Sequence, residues 1–217
     1  MNCSNELSYI RELYAVEDEL LKNIRNQCLL DNRPITINSE EGKLLQLLIK
    51  MSNTKNIIEV GTLYGYSTIW FARALEKNGK IWTIEKELES SKKAQKNFDK
   101  LENNLGKNIT IINNDGITAL NKMINNNIQC DMIFIDADKA SYPEYLKLSE
   151  KLVKKGGLII ADNTFLSGSV YKDYLDGRIT LKAQNAMKLF NKMLADSSKY
   201  DSIMLNTQEG LSIAIKK

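Results

Sequence analysis

The sequence predicts an α/β fold: a Rossmann-like, doubly wound, mostly parallel sheet of seven strands that closes in an antiparallel C-terminal hairpin. Three observations point to it. From about residue 57, five short apolar runs alternate with amphipathic helical segments, the pattern of a parallel sheet covered on both faces. Each run ends at or near an acid: Glu59, Glu85, Asp115, Asp136 with Asp138, and Asp162. Ligands of open α/β sheets bind at the carboxyl ends of the strands, so acids in all five places are harder to dismiss than one on a solvated loop. The tail departs from the alternation, with two apolar runs joined by Thr207-Gln208-Glu209-Gly210, which reads as a hairpin.

The N-terminal part is helical. Leu7, Ile10, Leu13, Tyr14, Leu20, Leu21, Ile24 and Cys28 fall at helical spacing with charges between them, and predict one helix over 6–28. Asn32-Arg33-Pro34 ends it, and a second helix opens at Ser39 with Glu40 and Glu41 in its first turn. Strands are expected at 57–60, 80–84, 109–113, 132–135 and 158–161, with helices near 67–77, 87–104, 117–125, 142–154 and 182–195. The hairpin strands are placed at 203–206 and 211–215. No repeat, low-complexity block or linker interrupts the chain, so one domain over 1–217 is expected, with 1–38 as its N-terminal helical segment.

Composition narrows the function. The 217 residues suffice for one α/β core, and 43% hydrophobic with 26% charged residues is ordinary for a globular chain. The net charge of +3 is dispersed. Its clusters, Lys92, Lys93, Lys96 and Lys154, Lys155, read as solvated helix faces and not as a nucleic-acid stripe. No apolar run approaches the ~18 residues that a membrane span needs, and the N-terminus shows no signal-peptide pattern. Cys3, Cys28 and Cys130 match no metal or redox spacing, so a cytoplasmic protein with reduced thiols is expected. There is no histidine. That removes Ser–His–Asp and Cys–His hydrolysis and histidine-ligated zinc. Proton transfer must use Lys, Asp, Glu or Tyr, and a metal must sit among oxygens.

The first strand runs into Glu59-Val60-Gly61-Thr62-Leu63-Tyr64-Gly65-Tyr66-Ser67. Glycines there let backbone approach a ligand, and a helix begins at about Ser67. A dinucleotide site would want Gly-x-Gly-x-x-Gly, which Leu63 and Ser67 break, and Glu59 suits a cationic ligand better. Taken alone, a strand-to-helix turn with two glycines can be purely structural. Glu85 ends the second strand, where a carboxylate can accept both ribose hydroxyl protons. Asp115-Gly116 borders the adenine, or is an ordinary turn. Phe134-Ile135-Asp136-Ala137-Asp138-Lys139 and Ile160-Ala161-Asp162-Asn163 give the sharpest signal. Adjacent parallel strands would bring Asp136, Asp162 and Asn163 together as a hard-oxygen site for Mg²⁺ or Ca²⁺. Lys139 beside it could take a proton if its pKa is depressed. The plainer alternative is a surface Asp138–Lys139 ion pair followed by an Asp162-Asn163 turn.

At these residues the sequence resembles the cation-dependent class I S-adenosylmethionine (SAM) O-methyltransferases, the caffeoyl-CoA and catechol O-methyltransferase group known as family 3. The segments that carry the likeness are EVGTLYGYS, FIDADKASYPEY, GGLIIADNTFLSGSV and FNKML, and it extends from about Pro34 to the C-terminal hairpin. The resemblance implies the class I methyltransferase fold, and Asp136, Asp162 and Asn163 as ligands of a divalent cation (Mg²⁺, with Ca²⁺ or Mn²⁺ as alternatives). It implies Lys139 as the base, acting with Asp136. SAM contacts would come from Ile35, Glu59, Gly61, Ser67, Glu85, Asp115, Gly116, Asp136 and Tyr145. The implied reaction is in-line methyl transfer to a hydroxyl of a catechol-like small molecule, in a homodimer, with 1–38 and the 164–184 insertion shaping the acceptor pocket. Three features depart from plant members: Thr36-Ile37 stands where they carry a metal-proximal Thr, Gln208-Glu209-Gly210 replaces Gly-Asp-Gly, and the N-terminal segment is shorter.

Two other readings compete. A tRNA hydroxyuridine O-methyltransferase would use the same site with a basic rim, for which Lys172, Arg178 and Lys182 are the candidates. An NAD-dependent oxidoreductase would use the same sheet, but the glycine pattern and the oxygen cluster count against it.

Overall fold

The computed structural model of the chain describes residues 5–33, 36–172, 177 and 179–217. Its centre is a seven-stranded sheet of β1 (Asn56–Val60), β2 (Lys80–Glu85), β3 (Ile109–Asn113), β4 (Cys130–Ile135), β5 (Val153–Ala161), β6 (Tyr200–Leu205) and β7 (Leu211–Lys216). The spatial order is β3-β2-β1-β4-β5-β7-β6. The first five strands run parallel; β7 is antiparallel to both β5 and β6. The hairpin is therefore not appended at the edge: its second strand slots between β5 and β6. The strand order reverses between β1 and β4, the switch point where doubly wound sheets bind ligands.

Helices cover both faces: α1 (Asn5–Tyr14), α2 (Glu19–Leu30), α3 (Ser39–Met51), α4 (Tyr66–Ala72), α5 (Leu88–Phe98), α6 (Gly116–Asn125), α7 (Tyr142–Leu152) and α8 (Leu181–Leu194). The near-continuous apolar runs of β1, β4 and β5 are explained by this double cover. Ile57, Ile58, Ile133, Phe134, Ile159 and Ile160 are all fully buried, each contributing about 1.5–3 kcal/mol relative to exposure. One core lies under α2–α5 and includes Phe71 packed edge-on against Phe134 with centroids 5.4 Å apart. The other lies under α6–α8 around Tyr142 and Phe190.

Three sequence expectations need correction. The helix over 6–28 is two helices: Asp18 caps α2 by accepting the Leu21 N–H at 3.0 Å, which starts a new helix four residues after α1 ends. The helix near 87–104 stops at Phe98 and is followed by a short 3₁₀ segment, Glu102–Asn108, in which Asn103 and Asn104 take positive φ. Lys154 and Lys155 are not on a helix face but begin β5, where Lys154 pairs with Asp131 at 2.9 Å. The helix expected at 67–77 ends five residues early at Ala72, and the strand expected at 158–161 begins five residues early at Val153; the other elements fall within three residues of their expected places.

Candidate active site

Three consecutive strand ends build the floor of the site. The Gly61 N–H donates to Ile84 O, the Asp136 N–H to Val60 O and the Asp162 N–H to Ile135 O, at 2.8–3.0 Å. The sheet ladder thus continues one residue beyond β1, β4 and β5, and it fixes Gly61, Asp136 and Asp162 side by side. Gly61 has φ +102°, and a Cβ there would lie 1.9 Å from the Asp136 carbonyl oxygen. Glycine is required because the two loops touch backbone to backbone.

Above this floor opens a cavity of about 360 Å³, within the usual range for small-molecule sites. Gly61, Ser67, Glu85, Gly116, Asp136, Lys139, Tyr145 and Asn163 all line it, as expected from the sequence. Asp162, 3% exposed, does not line the cavity; it is buried at the end of β5, next to Asn163 in the chain and one strand over from Asp136. Glu85 accepts the Leu63 N–H at 2.8 Å and the Glu87 N–H at 2.9 Å, so it is held at the cavity wall by the loops on either side. Tyr145 donates to Asp138 Oδ2 at 2.7 Å. Asp138 and Asn114 also line the cavity. Asn114 carries no sequence signal beyond its place after β3, whereas Asp138 was visible in the FIDADK segment as an acid without an assigned ligand.

Two expected contacts are placed elsewhere. Glu59 is fully buried behind the wall, where it accepts hydrogen bonds from the Ser67, Thr68 and Thr83 hydroxyls. Burial pushes its carboxyl up to about 7, against the lowering effect of those three hydroxyls. It orients Ser67 and does not itself line the cavity. Asp115 is the N-cap of α6, accepting the Thr118 N–H at 2.9 Å, and the cavity is bordered instead by its neighbours Asn114 and Gly116. Ile35 and Arg178 lie outside the described residues.

Lys139 does not pair with Asp138. Its ammonium donates to Asp136 Oδ1 at 2.8 Å and to the Tyr142 hydroxyl at 2.7 Å. Tyr142 in turn donates to the Asp162 carbonyl at 2.9 Å, which locks Lys139 between the ends of β4 and β5. Burial alone would lower the Lys139 pKa, but the Asp136 carboxylate and the hydrogen bonds to Asp136 and Tyr142 outweigh it and the net shift is upward. Asp162 is moved well above the usual carboxylate range, first by burial and then by the negative charges of Asp136 and Glu41. Among the described residues no group of three His, Cys, Asp or Glu side chains gathers closely enough to hold a metal ion. Asp136 and Asn163 line the cavity, and Asp162 is buried next to them.

The N-terminal segment closes one side. Arg25 of α2 donates to Glu17, to the Thr36 hydroxyl at 2.8 Å, to the Ile37 carbonyl at 3.3 Å and to the Tyr66 hydroxyl at 2.6 Å. Thr36, Ile37 and Tyr66 line the cavity, so one guanidinium braces three parts of its wall. No sequence pattern singled out Arg25, because its partners lie 8–41 residues away.

A family model described as O-methyltransferase matches residues 11–217. A catechol O-methyltransferase from Niastella koreensis is 38% identical, with 96% of this chain and 95% of that protein covered. Caffeoyl-CoA O-methyltransferase 1 of Nicotiana tabacum is 32% identical, over 94% of this chain and 88% of that one. An O-methyltransferase of Streptomyces achromogenes, solved in complex with SAM, superposes with a TM-score of 0.86 over all of both chains at 28% identity.

Proposed function

The chain belongs to the O-methyltransferase family and is a SAM-dependent O-methyltransferase, and we propose that it methylates a hydroxyl of a catechol-like small molecule with the help of a divalent cation. The observation that carries this reading is the charge at the ends of β4 and β5. Asp162 is buried beside Asp136, the charge of Glu41 also acts on it, and Lys139 is the cation that offsets them. A hard dication fits such an excess of carboxylate. Asp136, Asp162 and Asn163 would hold it, with Mg²⁺ the first candidate and Mn²⁺ or Ca²⁺ as alternatives.

SAM supplies the methyl group, and the cation would supply Lewis-acid stabilisation of the acceptor hydroxyl. The chain's own residues supply placement. Gly61, Ser67, Gly116, Glu85 and Tyr145 form the nucleoside wall, with Glu85 positioned for the ribose hydroxyls. Glu59 orients Ser67 from behind, and Asp115 holds the Asn114–Gly116 edge by capping α6. Lys139, fixed by Asp136 and Tyr142, stands where the acceptor hydroxyl would lose its proton. As held here it is an ammonium, so it could take that proton only after giving up its own to solvent, which a cation bound at Asp136 would favour by competing for that carboxylate. Holding acceptor oxygen and methyl carbon in line is the main catalytic contribution expected of this scaffold.

We assign residues 1–217 to one catalytic domain, with 1–38 walling the acceptor side through the Arg25 brace. Tyr9, Leu13 and Tyr14 of α1 are exposed, which is compatible with the homodimer and with its contact through this segment. No helix among the described residues is long and apolar enough to cross a membrane; a cytoplasmic location is part of the proposal. The test is methyl transfer from labelled SAM to caffeoyl-CoA, caffeate and simple catechols, with Mg²⁺ and with EDTA. EDTA-sensitive transfer supports the reading. Transfer only to hydroxyuridine-containing tRNA would replace the acceptor, and EDTA-resistant transfer would remove the cation.

A further inference from the structure

Tyr142 is fully buried, yet its hydroxyl meets a side chain that lines the cavity. After β4 the chain passes through one short 3₁₀ turn, Lys139–Ser141, and Tyr142 opens α7. Side chains three residues apart in such a turn stand over one another, which brings the Lys139 ammonium onto the Tyr142 hydroxyl at 2.7 Å. The ring is held from both sides. Phe190 of α8 packs edge-on against it with centroids 5.2 Å apart, and Tyr145 does so at 6.3 Å.

The protons available set the direction of each bond. A phenol has one O–H to donate. The Tyr142 hydroxyl lies 2.9 Å from the Asp162 carbonyl oxygen and 3.3 Å from that of Ile135. Ile135 O already receives the Asp162 N–H at 3.0 Å, so the Tyr142 proton goes to Asp162 O and a lone pair is left for Lys139. An ammonium has three N–H groups and accepts nothing. One goes to Asp136 Oδ1 at 2.8 Å and one to Tyr142 at 2.7 Å. The third has no partner among the described residues, and Lys139 lines the cavity. The Tyr142 bond goes to a neutral hydroxyl on another element, so it holds whether or not Asp136 is engaged elsewhere.

We propose that Tyr142 is a positioning residue for the base: by accepting one N–H while Asp136 accepts another, it turns the third position of Nζ toward the cavity, where the acceptor hydroxyl would stand. At that position one proton leaves for solvent and the acceptor's proton then arrives, its O–H bond breaking as the new N–H bond forms. Tyr142 keeps its own proton on Asp162 O throughout. This deepens the reading of Lys139 as the base and rests on it.

The test observes Lys139 by magnetic resonance in the whole chain, with lysine labelled with ¹⁵N at Nζ, in EDTA and with no acceptor. The signal is assigned by its loss in Lys139→Met. In the wild type this ammonium should exchange its protons slowly and rotate little compared with the exposed lysines. In Tyr142→Phe the exchange should quicken about tenfold, the effect of one hydrogen bond from a charged donor. Methyl transfer to a catechol should fall about 10- to 100-fold in the same variant, the cost of a misdirected catalytic group, with KM for SAM and for the catechol within about threefold of wild type. A wild-type Lys139 that exchanges and rotates as freely as the exposed lysines would overturn the proposal without any variant. So would a normal rate in Tyr142→Phe where Lys139→Ala is slow. A joint loss of turnover, SAM affinity and melting temperature in Tyr142→Phe would also overturn it, marking the hydroxyl as merely structural. A normal rate in Lys139→Ala would remove the base reading itself, and this proposal with it.

Discussion

On the β1–β2–β3 side of the cavity the acids already hold donors from this chain, whereas on the β4–β5 side Asp162 is buried beside Asp136. Glu85 accepts two backbone N–H groups, Glu59 accepts three hydroxyls and Asp115 caps a helix. Asp162, by contrast, is pushed well above the usual carboxylate range by burial and then by the negative charge of Asp136 beside it. The first side is a frame whose acids are held by donors of this chain. The second sets two neighbouring carboxyl groups, Asp136 and Asp162, beside one ammonium, Lys139. In the proposed reading the first side takes the nucleoside and the second takes the cation.

The largest effect should come from the second wall. Asp162→Ala should lower methyl transfer by about 1000-fold or more, since Lewis-acid stabilisation is worth several kcal/mol, and should leave SAM binding nearly unchanged. Calorimetry on the same preparation separates the two, and equal losses would show that the two sides are not independent. Lys139→Ala should lower turnover about 100- to 10,000-fold, the range for a positioned acid–base group, with little change in KM for SAM. A normal rate would assign the proton to another group. Glu85→Ala should do the reverse, weakening SAM about 10- to 100-fold through lost charge-assisted hydrogen bonds; unchanged affinity would remove its ribose role.

The smallest effect is on stability. The Glu59 carboxyl stands at about 7 in the folded chain, above the usual 4.5. The folded state therefore holds this proton longer than the unfolded state does. Its stabilising contribution is full below about pH 4.5 and is lost as pH rises through about 7. Asp162, also raised, acts with the same sign. Melting temperature in metal-free buffer should fall from pH 5 to pH 8, and Glu59→Gln should flatten part of that fall. A melting temperature that rises over this range would contradict the assignment.

The fold was legible because the strands announce themselves: apolar runs buried on both faces, each closed by an acid. Asp136, Asp162, Asn163, Glu85 and Lys139 were legible for the same reason, since strand ends on neighbouring strands meet. What sequence order hides is which partner a side chain takes. Asp18 breaking the first helix looks like any other acid between apolar positions. Glu59 and Asp115 sit where ligand-binding acids sit, yet hydroxyls and a helix cap claim them. Arg25 reaches the cavity wall only through tertiary packing, so no spacing rule marks it.

The most direct test of the contrast between the two walls is SAM titration of the wild-type chain by calorimetry in EDTA and in Mg²⁺, paired with methyl transfer under each condition. The account predicts SAM affinities within about threefold of each other while transfer to a catechol disappears in EDTA. SAM affinity collapsing in EDTA, or transfer continuing there, would contradict it.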